Sequence, residues 1–365
     1  MERDRAWAEA AERRLRAAVG GPTPLCRLPF PAFDGLAVYA KDESALPSGS
    51  TKERLVAALL GHALRRGALA AGTPVVAATG GPVAVAGARL AGVLGLPFTA
   101  LVPARTPGPA LARIEAAGGR WVRGTRPPAA VQAEAAELAR RTGGFFLDHF
   151  TDAEAAVTAW GAPTIADELL GQLAAEPPPG SRPRWIVVGL GTGTTAATVG
   201  RHLRRHGLAP GTRLAGVDPE HSAYFPAWAS GAGDYGTGMP SRIPGIGRPR
   251  TEPGFRPELL DLVIPVPDAA SVAGMRWLHA RAGRFAGPAG GTVLWGACHL
   301  LARLRQAGAD GSVVVVLGDG ADGYRRTHLD PAWLRARGLD PAPYEAVLDA
   351  FSTDPAAPWP TAPAH

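Results

Sequence analysis

An α/β fold built on mostly parallel sheets, in two domains of three layers each, is what this sequence predicts. Three observations carry that expectation. From residue 72 onward, short apolar runs alternate with stretches whose apolar residues recur at helical spacing. The apolar runs are continuous, as strands covered on both faces require. The alternation also comes in two series, separated by the Pro-rich loop "AAEPPPGSRPR".

Taken in order, the amino terminus "MERDRAWAEAAERRLRAA" reads as a charged helix and not as a signal peptide. "SGSTKE" opens the next helix, with Ser50 and Glu53 spaced as a capping box and apolar residues following at 55, 56, 59, 60, 63 and 64. Then come the strand "GTPVVAAT", the helix "VAVAGARLAGVLG", the strand "PFTALVP" and the helix "PALARIEAAGG". "RWVRG", the helix "AAVQAEAAELARRTGG" and the strand "FFLDHF" close the first series. A single helix, "DAEAAVTAWGAPTIADELLGQL", leads to the Pro-rich loop, and "WIVVGL", "RLAGVDP", "LDLVIPVPD" and "SVVVVLGDG" supply the strands of the second series. The expected division is a smaller domain over 45–155, a larger domain from 1–44 plus 156–340, and a Pro/Ala-rich tail over 341–365 expected to be poorly ordered.

The 365 residues, 46% hydrophobic, can bury a sizeable core. No apolar run approaches the roughly 20 residues of a membrane span, so a cytoplasmic protein with no membrane partner is expected. The net charge is +6, but the arginines are scattered and no basic run is interleaved with aromatics, which argues against nucleic acid. Cys26 and Cys298 have neither metal-ligand spacing nor enough company for a disulfide framework, so neither a metal nor a disulfide is expected.

Of the 38 Lys and Arg residues, only Lys41 and Lys52 are lysine. Where positive charge alone is needed arginine suffices, but guanidinium stays protonated, whereas a lysine amine can lose its proton and attack a carbonyl. Lys52 falls in the first turn of its helix, whose positive end favours the neutral amine. A surface lysine at a helix start is the plainer alternative. Lys41, at a strand end in "VYAKDES", reads as structural.

"WIVVGLGTGTTAATVG" sets Gly189, Gly191 and Gly193 after an apolar strand, interleaves Thr192, Thr194 and Thr195, and continues as a helix. Glycines let backbone amides curl around an anion and the helix adds its dipole, so the segment can form a phosphate cup. A P-loop is excluded by the missing Gly-Lys-Ser/Thr, and Thr194 breaks G-x-G-x-x-G. A dinucleotide site with Asp218 as the acidic ribose ligand, and a tight turn with no ligand, both stay open.

The lysine after "SGS", the small-residue loop after the next strand and "GTGTT" about 140 residues later resemble the fold-type II enzymes that use pyridoxal 5'-phosphate. These are the cysteine synthases, cystathionine β-synthases and cysteine desulfhydrases, and the nearest likeness is to actinobacterial cysteine desulfhydrase-like proteins. "PTPL", "KDES", "DPEHSAYFPAW", "SRIPGIGRPR", "GPAGGTVLWGA" and "LGDGADGY" extend the resemblance over about residues 20–335. It implies the tryptophan synthase β-like fold, pyridoxal 5'-phosphate as cofactor, and a homodimer. Lys52 would bond the cofactor aldehyde, and Gly191, Thr192, Gly193, Thr194 and Thr195 would hold its phosphate. Thr79, Gly80, Gly81 and Val83 would face the carboxylate of a small amino-acid-like substrate. Pro82 stands where an asparagine usually meets the ring oxygen, Ala289 and Gly290 where hydroxyl residues usually meet the pyridine nitrogen, and Gly320 where the family has serine. The implied chemistry is α,β-elimination or β-replacement on cysteine, serine or an activated serine, with the altered loop pointing to a changed substrate. The alternative is a non-catalytic or regulatory descendant that acts by binding a partner.

Overall fold

The computed structural model describes residues 2–126, 130–161, 163–239 and 241–360. It falls into two compact units, one of Met1–Pro22 with Ser44–Ala162 and one of Thr23–Glu43 with Pro163–His365.

The smaller unit contains α1 (Glu2–Ala18), α2 (Lys52–Arg65), β3 (Val75–Ala78), α3 (Pro82–Leu94), β4 (Phe98–Val102), α4 (Gly108–Ala116), β5 (Arg120–Arg123), α5 (Val131–Arg141), β6 (Phe145–Phe146) and α6 (Ala153–Trp160). Its strands form a wholly parallel sheet in the order β5-β4-β3-β6. Successive residues of a strand face opposite sides. Val75 and Ala77 accordingly pack with α2 and α3, while Val76 and Ala78 pack with Val131, Ala135 and Ala139 of α5.

The larger unit contains β1 (Leu25–Arg27), β2 (Leu36–Asp42), α7 (Ile165–Ala174), β7 (Pro183–Gly189), α8 (Thr194–Arg205), β8 (Arg213–Pro219), α9 (Tyr224–Ser230), β9 (Leu262–Val266), α10 (Asp268–Ala282), α11 (Pro288–Gln306), β10 (Gly311–Leu317), α12 (Pro331–Arg335) and α13 (Ala342–Thr353). Its sheet runs β1-β2-β10-β7-β8-β9, parallel except for the β1–β2 pair. Val313, Val315 and Leu317 of central β10 face the α10–α11 layer, and Val314 and Val316 face the α7–α8 layer. Burying such a side chain on either face contributes about 1.5–3 kcal/mol, which is why "SVVVVL" shows no polar alternation.

Several expectations need correction. Residues 1–22 belong to the smaller unit and not the larger, because Ala11 and Leu15 of α1 are buried among α2 and α3. The smaller unit also runs to 162, beyond 155. The segment 341–360 of the expected loose tail instead carries α13, with Leu348 and Phe351 buried in the main core and Trp359 packed against Trp295 and Phe351. Residues 361–365 lie outside the described residues. The single helix expected over 152–173 is two, α6 and α7. Left-handed Gly161 closes the first, and Thr164 with Asp167 forms a capping box for the second. "FFLDHF" contributes only Phe145 and Phe146 to the ladder, because Asp148 Oδ1 accepts the N–H groups of Phe150 and Thr151 and turns the chain.

Candidate functional site

Lys52 is the first residue of α2. The turn before it is held by the Lys52 N–H donating to Ser50 Oγ at 3.3 Å and the Glu53 N–H donating to Ser50 O at 3.0 Å. The capping box is not formed. Glu53 is fully buried and ion-pairs with Arg89 of α3, which also donates to Ala18 O at 2.8 Å and so ties α1, α2 and α3 together. Lys41 is structural: its Nζ is buried and donates to Thr23 O at 2.7 Å, Gln172 Oε1 at 2.8 Å and Glu168 Oε2 at 3.1 Å.

In the same unit, β3 ends in the loop Thr79–Val83, and α3 starts there with Gly81 as N-cap and Pro82 in its first turn. Thr79 Oγ1 accepts the Gly81 N–H at 3.1 Å, so the loop's one hydroxyl serves its own backbone. A Cβ on Gly80 would come within 2.7 Å of Thr106 Cγ2. Thr106 is held in turn by its hydroxyl donating to Pro103 O at 2.8 Å.

The larger unit carries the glycine segment as the turn from β7 into α8. Gly193, the N-cap, has φ 82°, and a Cβ there would overlap the Gly254 carbonyl oxygen; a Cβ on Gly191 would overlap that of Gly245. The glycines thus let the turn lie flat against the backbone of 245–254. Thr192 and Thr194 are buried with their hydroxyls 3.0 Å apart. Ala197 N–H donates to Gly193 O at 2.9 Å, but the Thr195 and Ala196 N–H groups have no protein acceptor among the described residues. Asp218 is not exposed as a ribose ligand would be: it is buried, and its Oδ2 accepts the Phe225 N–H at 2.8 Å at the start of α9. Burial raises its carboxyl from 3.8 to about 7.

At the start of α11, Ala289 is buried with Ile243 and Ile246. A Cβ on Gly290 would come within 2.7 Å of the Ala286 Cβ. Gly320 bridges Ala286 in antiparallel fashion, and the preceding Asp319 takes the Tyr324 hydroxyl. Lys52 and the 79–83 loop therefore belong to one unit, and the cup, Ala289 and Gly320 to the other. The sequence named these positions but not what lies against them: Thr106, Ala286, the 245–254 backbone and Tyr224. "DPEHSAYFPAW" was the available signal for Tyr224, whose hydroxyl donates to Gly191 O at 2.7 Å, and "SRIPGIGRPR" for the 245–254 backbone; no segment marked Thr106 or Ala286.

A family model for pyridoxal-phosphate dependent enzymes matches residues 17–319. The chain belongs to that family. Among members, L-cysteine desulfhydrase Cds1 of Mycobacterium tuberculosis is 44% identical over 353 residues, covering 95% of each chain. Cysteine synthase B of Escherichia coli is 29% identical over 84% of this chain and 93% of its own. A crystal structure of O-ureido-L-serine synthase superposes with a TM-score of 0.75 at 26% identity, covering 88% of this chain and 98% of the other. The fold is that of the fold-type II pyridoxal phosphate enzymes, with parallel sheets in both units.

The donor set fits the cofactor of the family. Two buried hydroxyls and the open first-turn amides of a 12-residue helix are the kind of donors that a phosphate dianion would need. The helix places no acidic residue in its first turn to repel one. Among the described residues no helix is long and apolar enough to cross a membrane, and no cluster of side chains is suited to a metal.

Proposed function

We propose that this enzyme performs α,β-elimination or β-replacement on cysteine, serine or an activated serine, and that its pocket is altered at the end that meets the substrate carboxylate. The observation that carries the reaction class is the 44% identity, over 95% of both chains, to an L-cysteine desulfhydrase. Two packing contacts support the altered pocket. The room that side chains at positions 80 and 290 would need is already taken by Thr106 and Ala286, so the missing hydroxyls are matched by a repacked surround.

When bound, pyridoxal 5'-phosphate supplies the electron sink for negative charge at the substrate α-carbon. Lys52 Nζ would hold the cofactor aldehyde and, as a free amine, would be the base for the α-proton. Thr192, Thr194 and the amides of Gly191 to Thr195 hold the phosphate. Thr79, Gly80, Gly81 and Val83 would face the substrate carboxylate with few free donors, because the Gly81 N–H is taken by Thr79 Oγ1 and Pro82 has no N–H. Pro82 and Ala289, in the places that the family resemblance gives to the ring's hydrogen-bond partners, would offer the cofactor ring only apolar surface. A homodimer working in the cytoplasm is part of the proposal, supported by the family resemblance; sedimentation of the purified enzyme tests the dimer.

The test is borohydride reduction of the loaded enzyme, followed by peptide mass mapping and assays of sulfide and pyruvate release from cysteine and of product formation from serine and O-acetylserine. Added mass at Lys52 with turnover of one of these substrates is expected. Mass elsewhere overturns the lysine assignment. Mass at Lys52 with no turnover of any of them overturns the activity and favours a descendant that works by binding.

A further inference from the structure

The cup is made of the residues least able to hold a shape. Gly191 and Gly193 have no Cβ to resist rotation of the peptides on either side of them, yet a phosphate site needs successive N–H groups held on one side. In a trans peptide, the carbonyl and the following N–H point in opposite directions, so a carbonyl pinned from behind aims the next N–H forward. Two such pins are present. The Gly247 N–H donates to Leu190 O at 2.7 Å, which directs the Gly191 N–H the other way. The Tyr224 hydroxyl donates to Gly191 O at 2.7 Å, which does the same for the Thr192 N–H.

Tyr224 is built to hold that position. It is wholly buried, and its ring stacks on Phe255 with centroids 4.4 Å apart and planes 20° apart. Phe255 follows Gly254, whose carbonyl backs Gly193, and its N–H donates to Glu252 O at 2.9 Å. Tyr224 opens α9, beside the Phe225 N–H that Asp218 accepts. Burial raises the phenol's pKa, so the hydroxyl keeps its proton beside Arg248, Glu252 and Asp218.

We propose that Tyr224 is a positioning residue for the cofactor phosphate, its hydroxyl fixing the Gly191 peptide so that the cup's amides face the phosphate before the cofactor arrives. This rests on the reading of 191–195 as the phosphate site. Tyr224 touches neither substrate nor cofactor in this role, and it acts only on the phosphate end.

The experiment compares two ligands of the full-length protein stripped of cofactor: pyridoxal 5'-phosphate and pyridoxal, which lacks the phosphate. In the wild type the phosphorylated ligand should bind far more tightly; equal affinities would overturn the phosphate reading of the cup and this proposal with it. Tyr224→Phe keeps the ring and removes only the hydroxyl. It should weaken pyridoxal 5'-phosphate binding by about tenfold, the upper end for one neutral hydrogen bond, and leave pyridoxal binding unchanged. A wild type that prefers the phosphate, together with a variant whose preference is undiminished, overturns the positioning role alone. Equal weakening for both ligands also overturns it, because a general structural role would act that way. Should Tyr224→Phe not fold, Phe255→Leu keeps the hydroxyl and loosens its seat. There the preference for the phosphorylated ligand should fall about threefold, and an unaltered preference again overturns the proposal.

Discussion

Replacing Asp218 by asparagine should change the pH dependence of stability more than stability itself. Asn keeps the shape and the side-chain oxygen that accepts the Phe225 N–H, but it does not titrate. In the folded chain Asp218 is almost completely buried, and desolvation lifts its carboxyl from 3.8 to about 7 against hydrogen bonds from Ser222, Phe225 and Tyr224 that favour the charged form. A carboxyl raised on folding is one the native state binds as the protonated acid. Its contribution is fully present below 3.8 and is lost as pH rises through about 7. A displacement of this size corresponds to about 4 kcal/mol, a large share of the 5–15 kcal/mol typical of a domain. Buried His328 acts with the opposite sign: it is pushed down to about 4, so its contribution is lost as pH falls below its ordinary 6.5. Subtracting the variant's curve from the wild type's removes the His328 effect. Urea unfolding of the stripped protein between pH 4 and 9 should therefore show the wild type gaining on Asp218→Asn by about 3 kcal/mol as pH falls from 7 to 4, with no difference in slope above about 8. A flat difference, or one that grows toward high pH, would refute the placement of this carboxyl in a dry environment.

Lys52→Ala should lose the borohydride-fixed cofactor while the fold persists. Lys41→Ala should keep the chemistry but lose about 3 kcal/mol of stability, because the buried ammonium's bonds to Thr23 O, Gln172 and half-buried Glu168 are lost, which denaturant midpoints will show. Gly193→Ala should weaken both folding and cofactor binding, since the added methyl meets the Gly254 backbone at positive φ and one of the two must move; full thermal stability would contradict this. Gly80→Ser with Pro82→Asn and Val83→Thr should do little for turnover of cysteine or O-acetylserine by itself, because Thr106 lies within 2.7 Å of a Cβ at 80. Adding Thr106→Ala should release any gain, and vigorous wild-type turnover of cysteine would show that the altered loop never impaired ordinary substrates. Where substrate binding does improve, each regained hydrogen bond to a carboxylate is worth about 1.5–3 kcal/mol, read as a fall in KM.

The local grammar of this chain was legible because it depends on neighbours in sequence. Apolar runs such as "VVVV" in β10 and helical periodicity in α2 state which face is dry, and a glycine-threonine turn after β7 states that amides converge there. Lys52 stood out because arginine fills nearly every other basic position. What the sequence by itself determined was therefore the α/β class and most elements, and it singled out Lys52 and the glycine turn as candidates. Tertiary structure decided the rest, for reasons that act across long separations. Glu53 had a capping role open to it, but Arg89, 36 residues away, took its carboxylate. The tail after 340 looked loose from its Pro and Ala content, yet Leu348 and Phe351 found a hydrophobic core to enter. Gly80 and Gly290 read as losses in the sequence; Thr106 and Ala286 turn them into close packing. The phenol that backs Gly191 sits 33 residues further along the chain, and no periodicity or motif spacing encodes that meeting, because only the pairing of β7 with β8 brings α9 beside the turn.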